Sequence, residues 1–569
     1  MESKFIARLF DELEPCYPDM NVAQGVKEYS VAGANGTYVG ANIVMSGVTP
    51  GIPVVINVKG ENTAFKLFQM TPIPVEVNTG AKLRSEYLRN DHNENVIRRA
   101  PFMVYEALEP IYNIVMPTMT TMAVSFKTII EYCKANHIQE WNITITHGDE
   151  TVALTLNVEQ YAYQVPRAGL DTHKFINWMS FDSIAKYHHV EKWSKAFDVL
   201  LEKYLRVAAF TRQNMLAVPL EECFEVASGV CTLNQERLLK LVTIAKKVGI
   251  CYFQGSAVAQ RALSLADNDD FYNSLDHDSI THSDEIADKF KEKAFDYFDN
   301  GTQAIVSLTG EPVPSTTGEN TIRSVASQLN DFIVKHDLAD VWVQCALDEP
   351  NDALCDTYRV ITDIIRAEMP NIPILEPVLP TEKVIGALDI WCPSLDIYEQ
   401  NRSFFDNRAK EGDRLFVYSC LTPGGNYLNR LLDMERLRIV WLGWAPAKYT
   451  NIEGFLHWGG NWFNGGNPYK RSAAMFSEQV LEFHPKRAMF LPAGDNCIFY
   501  PGFNEPLISV RSESHRIGYE DLCMLQELRK RDEKKADEIV NMVFRGYGDY
   551  EKSVAKYREA RKLLLEALS

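Results

Sequence analysis

The chain has 569 residues and a mass of 64.7 kDa, too long for one ordinary hydrophobic core, so we expect about two to four domains. Hydrophobic residues make up 46% and charged residues 24%, a globular composition that excludes a disordered chain. The formal net charge of −18 argues against nucleic acid or an anionic membrane as the main partner, because both bind cationic surfaces.

The 11 cysteines are odd in number and contain no C-x-x-C pair. This pattern favours free thiols in a reducing compartment over a zinc site or a disulfide framework. The N-terminus lacks the apolar segment of a secretory signal, and no stretch approaches the roughly 18 apolar residues of a membrane span. We therefore expect a cytoplasmic protein without a membrane span, although a chain trimmed of a signal peptide would look the same.

Residues 20 to about 165 have the pattern of a β-sandwich. Short β-branched or aromatic runs bounded by Gly, Pro and Asn occupy residues 54–58, 65–68 and 75–77. Residues 143–146 and 152–156 predict a hairpin with a turn of about four to five residues. Residues 125–136 are compatible with a helix or a longer connection. We predict an N-terminal antiparallel β-sandwich over residues 1–170.

From about residue 175, helical stretches alternate with short apolar runs, the pattern of a parallel sheet with helical crossovers. The eight runs are 215–220, 249–253, 304–308, 341–347, 372–375, 388–391, 415–419 and 454–458. Their number favours a (β/α)8 TIM barrel, which we assign to residues 171–530. Beyond it, residues 531–569 are charged with an apolar face and predict a helical extension packed on the barrel.

Two adjacent carboxylates follow one of these runs. The apolar residues 341–347 predict a strand buried on both faces, and Asp348, Glu349 and Pro350 end it. The C-terminal ends of barrel strands face the active site, so this position favours catalysis. The alternative is the first turn of a helix, where acidic residues interact well with the helix dipole.

The adjacency of Asp348 and Glu349 limits the mechanism. Neighbouring side chains diverge from the backbone, so the pair is poorly placed to act as nucleophile and acid across one glycosidic bond. They can instead divide the work, one protonating the leaving oxygen and the other holding a substrate group that attacks its own anomeric carbon. Mutual repulsion would raise one pKa and keep that acid protonated near neutral pH.

Five motifs occur here in the order in which they recur in glycoside hydrolase family 123 and its wider relatives. They are DEP (348–350), LDIWCP (388–393), GFLHW (454–458), GDNCIFYPG (494–502) and SVRSESHRIGYED (509–521). The chain resembles that family over roughly residues 175–530, and the preceding β-domain fits the family's layout. One departure is Leu522, where relatives usually carry an aromatic residue.

The resemblance implies a retaining β-N-acetylgalactosaminidase that works by substrate assistance through the 2-acetamido group. Carried over to this sequence, Asp348 would orient and polarise the acetamido group, and Glu349 would be the general acid/base.

Aromatic and amide side chains near strand ends are candidate sugar ligands. Trp458 and Trp462 flank a Gly-rich stretch that includes Asn461, and they could stack on a sugar ring or belong to the core. A phenol such as Tyr418 can donate to an acetamido carbonyl. The remaining candidates, which could equally pack in the core or form structural contacts, are Arg212, Asn214, Gln254, Trp391 and Tyr398.

We expect no metal and no cofactor. The acidic segment 267–282 lacks the glycine and glutamate of a calcium loop and predicts a solvated loop. The chain has no GxSxG elbow, Walker loop or GxGxxG fingerprint.

These patterns favour a retaining exo-acting hexosaminidase that releases terminal β-linked N-acetylgalactosamine from an oligosaccharide or glycoconjugate. One alternative is a hydrolase for another sugar, with Glu349 as acid and a distant base such as Asp396 or Glu399. A second alternative is a barrel that binds carbohydrate without catalysis. The chain could also form a homo-oligomer.

Overall fold

The computed structural model describes residues 5–82, 86, 91–262, 304–463, 466–473 and 491–569. The acidic segment 267–282, predicted to be a solvated loop, lies outside the described residues, as do Asn464 and Gly465 of the Gly-rich stretch.

The N-terminal region consists almost entirely of β-strands. They are β1 (Ile6–Asp11), β2 (Glu28–Asn35), β3 (Tyr38–Ser46), β4 (Val54–Lys59), β5 (Phe65–Val75), β6 (Phe102–Ile111), β7 (Ile114–Val115), β8 (Thr121–Ile129), β9 (His137–His147) and β10 (Glu150–Gln164).

Strands and helices alternate in the rest of the chain. The strands are β11 (Lys174–Asn177), β12 (Met215–Val218), β13 (Phe224–Ala227), β14 (Val230–Leu233), β15 (Tyr252–Gly255), β16 (Ala259–Ala262), β17 (Ala304–Ser307), β18 (Pro312–Val313), β19 (Trp342–Gln344), β20 (Leu375–Pro377), β21 (Ile390–Cys392), β22 (Arg414–Tyr418), β23 (Ile452–His457), β24 (Tyr500–Pro501), β25 (Pro506–Ser509), β26 (Phe544–Gly546) and β27 (Asp549–Tyr550). The helices are α1 (Phe181–Tyr187), α2 (Lys195–Phe210), α3 (Leu220–Cys223), α4 (Gln235–Val248), α5 (Thr316–Lys335), α6 (Cys355–Glu368), α7 (Leu395–Gln400), α8 (Arg402–Lys410), α9 (Arg436–Lys448), α10 (Val510–Arg531), α11 (Glu533–Val543) and α12 (Val554–Leu568).

Two sheets form the N-terminal sandwich. One is antiparallel throughout, in the order β1-β3-β8-β5-β6-β25-β24, and it takes its last two strands from beyond residue 499. The other has the order β2-β10-β9-β4-β7, and its β2–β10 pair is parallel. Buried side chains of both sheets meet in one core, including those of Val124 and Ile143. The predicted antiparallel sandwich is therefore right for most strand pairs but not for β2–β10.

Two local predictions in this region are right only in part: the predicted hairpin is present with a shorter turn, and only the second half of the segment 125–136 is a connection. The β9–β10 hairpin has a two-residue turn, because His147 pairs with Glu150 and Gly148 takes a φ of +57°. Residues 125–129 belong to β8, whereas residues 130–136 form the predicted connection to β9. Ser125 and Lys127 of β8 are buried, and Lys127 pairs with Glu513 at 3.4 Å. Polar residues on a strand buried on both faces hide the alternation that identifies a strand in the sequence.

Among the described residues, eight parallel strands follow in two sheets. One sheet has the order β11-β23-β22-β21-β20 and the other the order β12-β15-β19. The sheets meet at two points. Gln344 forms an isolated parallel bridge with Ile374. The main-chain N of Asn214 donates to the main-chain O of Phe175 at 3.2 Å. The ladder between these described strands is thus interrupted twice.

Seven of the eight predicted runs contain or overlap these parallel strands. The exception is 304–308, because β17 pairs antiparallel with β16 and β18 in a separate small sheet. The missed parallel strand is β11, which contributes only Phe175 and Ile176 as apolar residues.

The C-terminal part is helical. Helix α12 packs on α10 and also contacts β2 and β10 of the sandwich. Arg561 of α12 donates to the Asp521 carboxylate in α10 at 2.8 Å and to the Ala32 carbonyl oxygen in β2. The C-terminal helix therefore joins the sandwich to the α/β region. No described helix has the length and apolar character needed to cross a bilayer.

Candidate active site

A cleft lies at the C-terminal ends of the parallel strands. It consists of two adjoining cavities of about 250 and 300 Å³, which share Trp178, Asp348 and Trp462. The first cavity lies beside β12 and β15 and is further lined by Glu221, Gln254, Ser256 and Gln260. The second lies beside β20 and β22 and is further lined by Glu349, Pro377, Tyr418 and Trp458.

Glu376 in β20 holds residues 345–347, the segment that leads to the paired carboxylates. After β19 ends at Gln344, the next three residues all donate to the buried Glu376 carboxyl: the Cys345 thiol at 2.9 Å, Ala346 N at 3.0 Å and Leu347 N at 3.1 Å. Burial raises the pKa of Glu376 to about 8, and these hydrogen bonds act in the opposite direction. Asp348 and Glu349 follow directly, with their side chains in the cleft.

Glu349 is fixed by its backbone and by two neighbours. Its φ of +50° is left-handed, a conformation that non-glycine residues adopt at an energetic cost. The Tyr418 hydroxyl donates to Glu349 Oε1 at 2.7 Å, and the Arg261 guanidinium donates to the Glu349 main-chain oxygen. Burial and the Glu349 charge hold the pKa of Tyr418 well above its usual range, so the phenol remains a donor.

Asp348 has an unusual protonation equilibrium. It opens to the cleft, but the surrounding protein removes much of its bulk water and raises its pKa to about 7, and the Glu349 charge adds to this. Arg261 acts in the opposite direction. Asp348 can therefore exist in both charge states near neutral pH.

Tryptophans form the walls of the cleft. The rings of Trp458 and Trp462 lie 5.9 Å apart between centroids at an angle of 52°. Trp458 Nε1 donates to Asp495 Oδ2 at 3.2 Å, whereas Trp462 Nε1 is buried and has no hydrogen-bond partner among the described residues. Trp178 Nε1 donates to Gln254 Oε1 at 2.9 Å. Ring faces with polar edges of this kind suit a sugar ring.

The structure brings six of the predicted site residues into the cleft. They are Gln254, Asp348, Glu349, Tyr418, Trp458 and Trp462. Asn461 lies behind the wall: its side chain accepts from Ser180 N at 2.8 Å and donates to Ser180 O at 3.1 Å. It holds the Trp462 segment in place and does not line either cavity.

Arg212 and Asn214 lie elsewhere, at the N-terminal end of β12. Arg212 donates to Pro166 O at 2.9 Å and to Cys523 Sγ at 3.2 Å. The buried Asn214 side chain accepts from Phe175 N and donates to Gly169 O, both at 2.9 Å. The cleft is at the other end of the strand, so these residues hold the chain together rather than facing a sugar.

Trp391 and Tyr398 are buried on the helix side of the sheet. Trp391 Nε1 donates to Asp413 Oδ2 at 2.8 Å, and Tyr398 donates to Asp406 Oδ1 at 3.3 Å. They line neither cavity.

The two distant bases considered in the sequence are also engaged elsewhere. Asp396 Oδ1 accepts from Ser394 Oγ at 2.7 Å, and Glu399 accepts from Tyr449 Oη at 3.1 Å and from Gly548 N at 3.2 Å. Neither carboxylate lines the cleft.

The sequence analysis missed Trp178, Glu221 and Glu376. Trp178 follows β11, the strand that was not recognised. Glu376 had a usable signal, since it is an isolated acid in a buried apolar run directly followed by Pro377. Within the described residues, no group of three or more His, Cys, Asp or Glu side chains is arranged to hold a metal ion.

Comparison with known proteins shows the family and a shared fold. The family model described as "Glycoside hydrolase 123, catalytic domain" matches residues 178–528, more than half of the chain. A solved family 123 glycoside hydrolase from Clostridium perfringens superposes with a TM-score of 0.68 at 12% identity, over 99% of this chain and 97% of that chain. No curated protein sequence matches the chain significantly.

Other solved glycosidases superpose only weakly on this chain. A Bacteroides ovatus GH5 xyloglucanase has a TM-score of 0.31 at 9% identity, over 91% of this chain and 100% of that chain. A GH10 xylanase from termite gut has a TM-score of 0.32 at 10% identity, over 70% and 90%.

The family match and the shared fold place the protein in the class of glycoside hydrolases. Within that class, the chain belongs to glycoside hydrolase family 123.

Proposed function

We propose that this protein is a retaining exo-glycosidase that releases terminal β-linked N-acetylgalactosamine by substrate assistance. The observation that carries the proposal is the arrangement of Asp348 and Glu349, consecutive residues at the end of β19 that both open into the second cavity. Consecutive carboxylates cannot lie on opposite faces of one sugar ring, as a separate nucleophile and acid would require.

Each group has a role in this mechanism. The 2-acetamido carbonyl attacks the anomeric carbon, Glu349 protonates the leaving oxygen, and Asp348 stabilises the positive charge that develops on the acetamido nitrogen. Tyr418, which donates to Glu349 in this structure, donates to the acetamido carbonyl when substrate is bound. Water then opens the oxazolinium ion with Glu349 as general base.

The fold supports the same proposal. The two contacts between the parallel sheets, Gln344 with Ile374 and Asn214 with Phe175, fit eight strands closed into a (β/α)8 barrel. We further propose a division into a β-sandwich (residues 1–170), the barrel (171–530) and a helical extension (531–569), in which β24 and β25 of the middle segment complete a sheet of the sandwich. We also propose a cytoplasmic location. The 11 cysteines are all free, as is typical of proteins in a reducing compartment.

The substrate class is supported by a relative. The structure of the Clostridium perfringens enzyme was determined to give "the details of glycolipid glycan hydrolysis". For the present protein we propose a glycan or glycoconjugate with a terminal 2-acetamido sugar.

Two reagents test the mechanism. A thiazoline analogue of N-acetylgalactosamine mimics the bicyclic intermediate, so it should bind far more tightly than the free sugar. A 2-fluoro sugar should leave the protein mass unchanged. A stable glycosyl adduct in the mass spectrum would refute substrate assistance, and nitrophenyl glycosides with and without a 2-acetamido group would then identify the sugar.

A further inference from the structure

The first cavity has an acidic wall. Four carboxylates line it: those of Asp182, Glu221 and Glu222, and that of Asp348, which the second cavity shares. Lys192 pairs with two of them, with Asp182 Oδ1 at 2.6 Å and with Glu222, which also accepts from Trp193 Nε1 at 3.2 Å. Glu221 instead accepts from the Ser256 hydroxyl at 3.1 Å. Burial raises the pKa of Glu221 and the Glu222 charge adds to this, whereas the hydrogen bond from Ser256 acts in the opposite direction. When Glu221 is ionised, the carboxylates of this wall outnumber the single ammonium and the wall is anionic.

The same cavity contains a donor without an acceptor. Gln254 is 1% exposed, its Oε1 is occupied by Trp178, and its Nε2 is buried without a hydrogen-bond partner among the described residues. The residue lines the first cavity. A buried amide N–H₂ left unpaired is costly, so a ligand oxygen that accepts from it would bind favourably.

The proposed reaction determines which part of the sugar enters this cavity. Glu349 and Tyr418 line only the second cavity, so the glycosidic bond is cleaved there, while Asp348 borders both cavities. The hydroxyl-bearing carbons lie across the ring from the anomeric carbon. Trp178 and Trp462 also border both cavities. A ring placed between these two side chains, with its anomeric carbon in the second cavity, would direct its far hydroxyl edge into the first cavity, which Gln254 and Glu221 line.

We propose, on the basis of the function proposed above, that the first cavity is a subsite for the unsubstituted hydroxyl edge of the terminal sugar and rejects anionic substituents there. Gln254 Nε2 donates to one hydroxyl, and the Glu221 carboxylate accepts from another. A charge-assisted hydrogen bond of this type is strong, whereas a sulfate or carboxylate substituent would place like charges together in a partly dry cavity. The terminal sugar of the substrate is then neutral, and a sulfated or acidic terminal sugar must first lose its charged group by another hydrolytic reaction.

Kinetics with sulfated substrates test this subsite. Nitrophenyl β-N-acetylgalactosaminide and its 3-, 4- and 6-sulfates are compared on the full-length enzyme and on Glu221→Gln, which keeps the side-chain size and removes the charge. We expect the unsubstituted substrate to exceed at least one sulfated isomer about 100-fold in kcat/KM. Glu221→Gln should reduce that ratio at least tenfold.

The matched control is Glu236→Gln, which removes one negative charge from the exposed first turn of α4, outside both cavities. It should leave the ratio unchanged. Similar rates for the neutral substrate and all three sulfates, or an equal effect of both variants, would overturn the subsite.

A binding measurement separates this proposal from the proposed function. Quenching of tryptophan fluorescence by free N-acetylgalactosamine and its sulfates reports on Trp178 and Trp462 without turnover. If no aryl glycoside is cleaved, the proposed function fails, and a preference for the neutral sugar that weakens in Glu221→Gln still supports the subsite. Cleavage of the neutral glycoside with equal binding of neutral and sulfated sugars would refute the subsite and leave the function intact.

Discussion

Glu349 can be tested by the leaving group of the substrate. Glu349→Gln keeps the hydrogen bond from Tyr418 but removes the transferable proton, so turnover of substrates with poor leaving groups should fall about 10²–10⁴-fold. Aryl glycosides with a very acidic phenol should lose much less in the glycosylation step. Asp352→Asn, an exposed position three residues further along the chain, is the control and should retain activity. Equal losses on both kinds of substrate would refute Glu349 as the acid.

Asp348 predicts the acid limb of the pH profile. Its pKa is raised to about 7, and the mechanism needs its carboxylate, so kcat/KM should fall as the pH drops below about 7. Asp348→Asn should lower activity strongly and abolish that limb. A limb unchanged in the residual activity of Asp348→Asn would assign it to another group.

The raised pKa of Asp348 also predicts an effect on folding stability. Stability should be favoured at low pH, whereas kcat/KM should be favoured at high pH. Because folding raises the pKa of Asp348, the folded state holds a proton that the unfolded chain has lost between about pH 4 and 7. This residue's contribution to stability is therefore present at low pH and is lost as the pH rises through 7. Asp348→Asn should raise the melting temperature at pH 8 relative to wild type, and less so at pH 5, by differential scanning fluorimetry.

At the scale of secondary-structure elements, β20 supports the end of β19 through one side chain. Glu376 accepts hydrogen bonds from three consecutive residues that follow the end of β19. These bonds take the place of main-chain pairing with a neighbouring strand. It lines neither cavity and acts through the segment that it holds, so it is a positioning residue. Glu376→Ala should lower kcat about 100-fold through misplacement of the carboxylates, with a smaller change in KM.

The conservative variant separates positioning from stability. Glu376→Gln keeps an oxygen that accepts from Ala346 N and Leu347 N, so it should recover much of the activity. Leu375→Ala in the same strand removes buried apolar volume and is the control for destabilisation alone. If Leu375→Ala lowers kcat as much as Glu376→Ala at equal melting temperature, the positioning role is wrong.

The parallel strands were predictable where they lie within a longer apolar run, as in 341–347 with its terminal acids, although β19 itself spans only Trp342–Gln344. β11 was not, because only Phe175 and Ile176 are apolar and the strand depends on β23 for its pairing. Trp178 was missed as a cleft residue because it directly follows this unpredicted strand. The sequence also could not separate aromatic residues of the cleft from those of the core. An aromatic residue near a strand end can face either side of the sheet: Tyr418 lines the cleft, whereas Trp391 packs on the helix side.

At the scale of the whole molecule, buried charges connect the two ends of the chain. Arg558 in α12 pairs with Asp11 at 2.7 Å and with Glu12 at 3.1 Å, and Glu12 also pairs with Lys127. Burial opposes the charge on Glu12, but Lys127 and Arg558 outweigh it and lower its pKa to about 2. Its contribution to stability is therefore present above about pH 4.5 and is lost as the pH falls towards 2.

Arg558→Ala should destabilise the whole chain in one step. It leaves two buried carboxylates without this partner, a change that costs about 3–5 kcal/mol, so calorimetry should show one transition at a lower temperature. Arg545→Ala breaks the exposed pair with Asp549 and should cost less than about 1 kcal/mol. A separate early transition for the C-terminal helices alone would contradict this coupling.

The pairing of β25 with β6 also affects how the protein is made. Ile508 pairs with Leu108, so a strand edge formed early in translation meets its partner 400 residues later. At about 5–20 residues per second, a ribosome needs roughly 20–80 s to supply it. During that time the nascent chain presents an unpaired β6 edge, a template for pairing with another chain. Crowded polysomes and fragments that stop before residue 506 should therefore be where this protein aggregates.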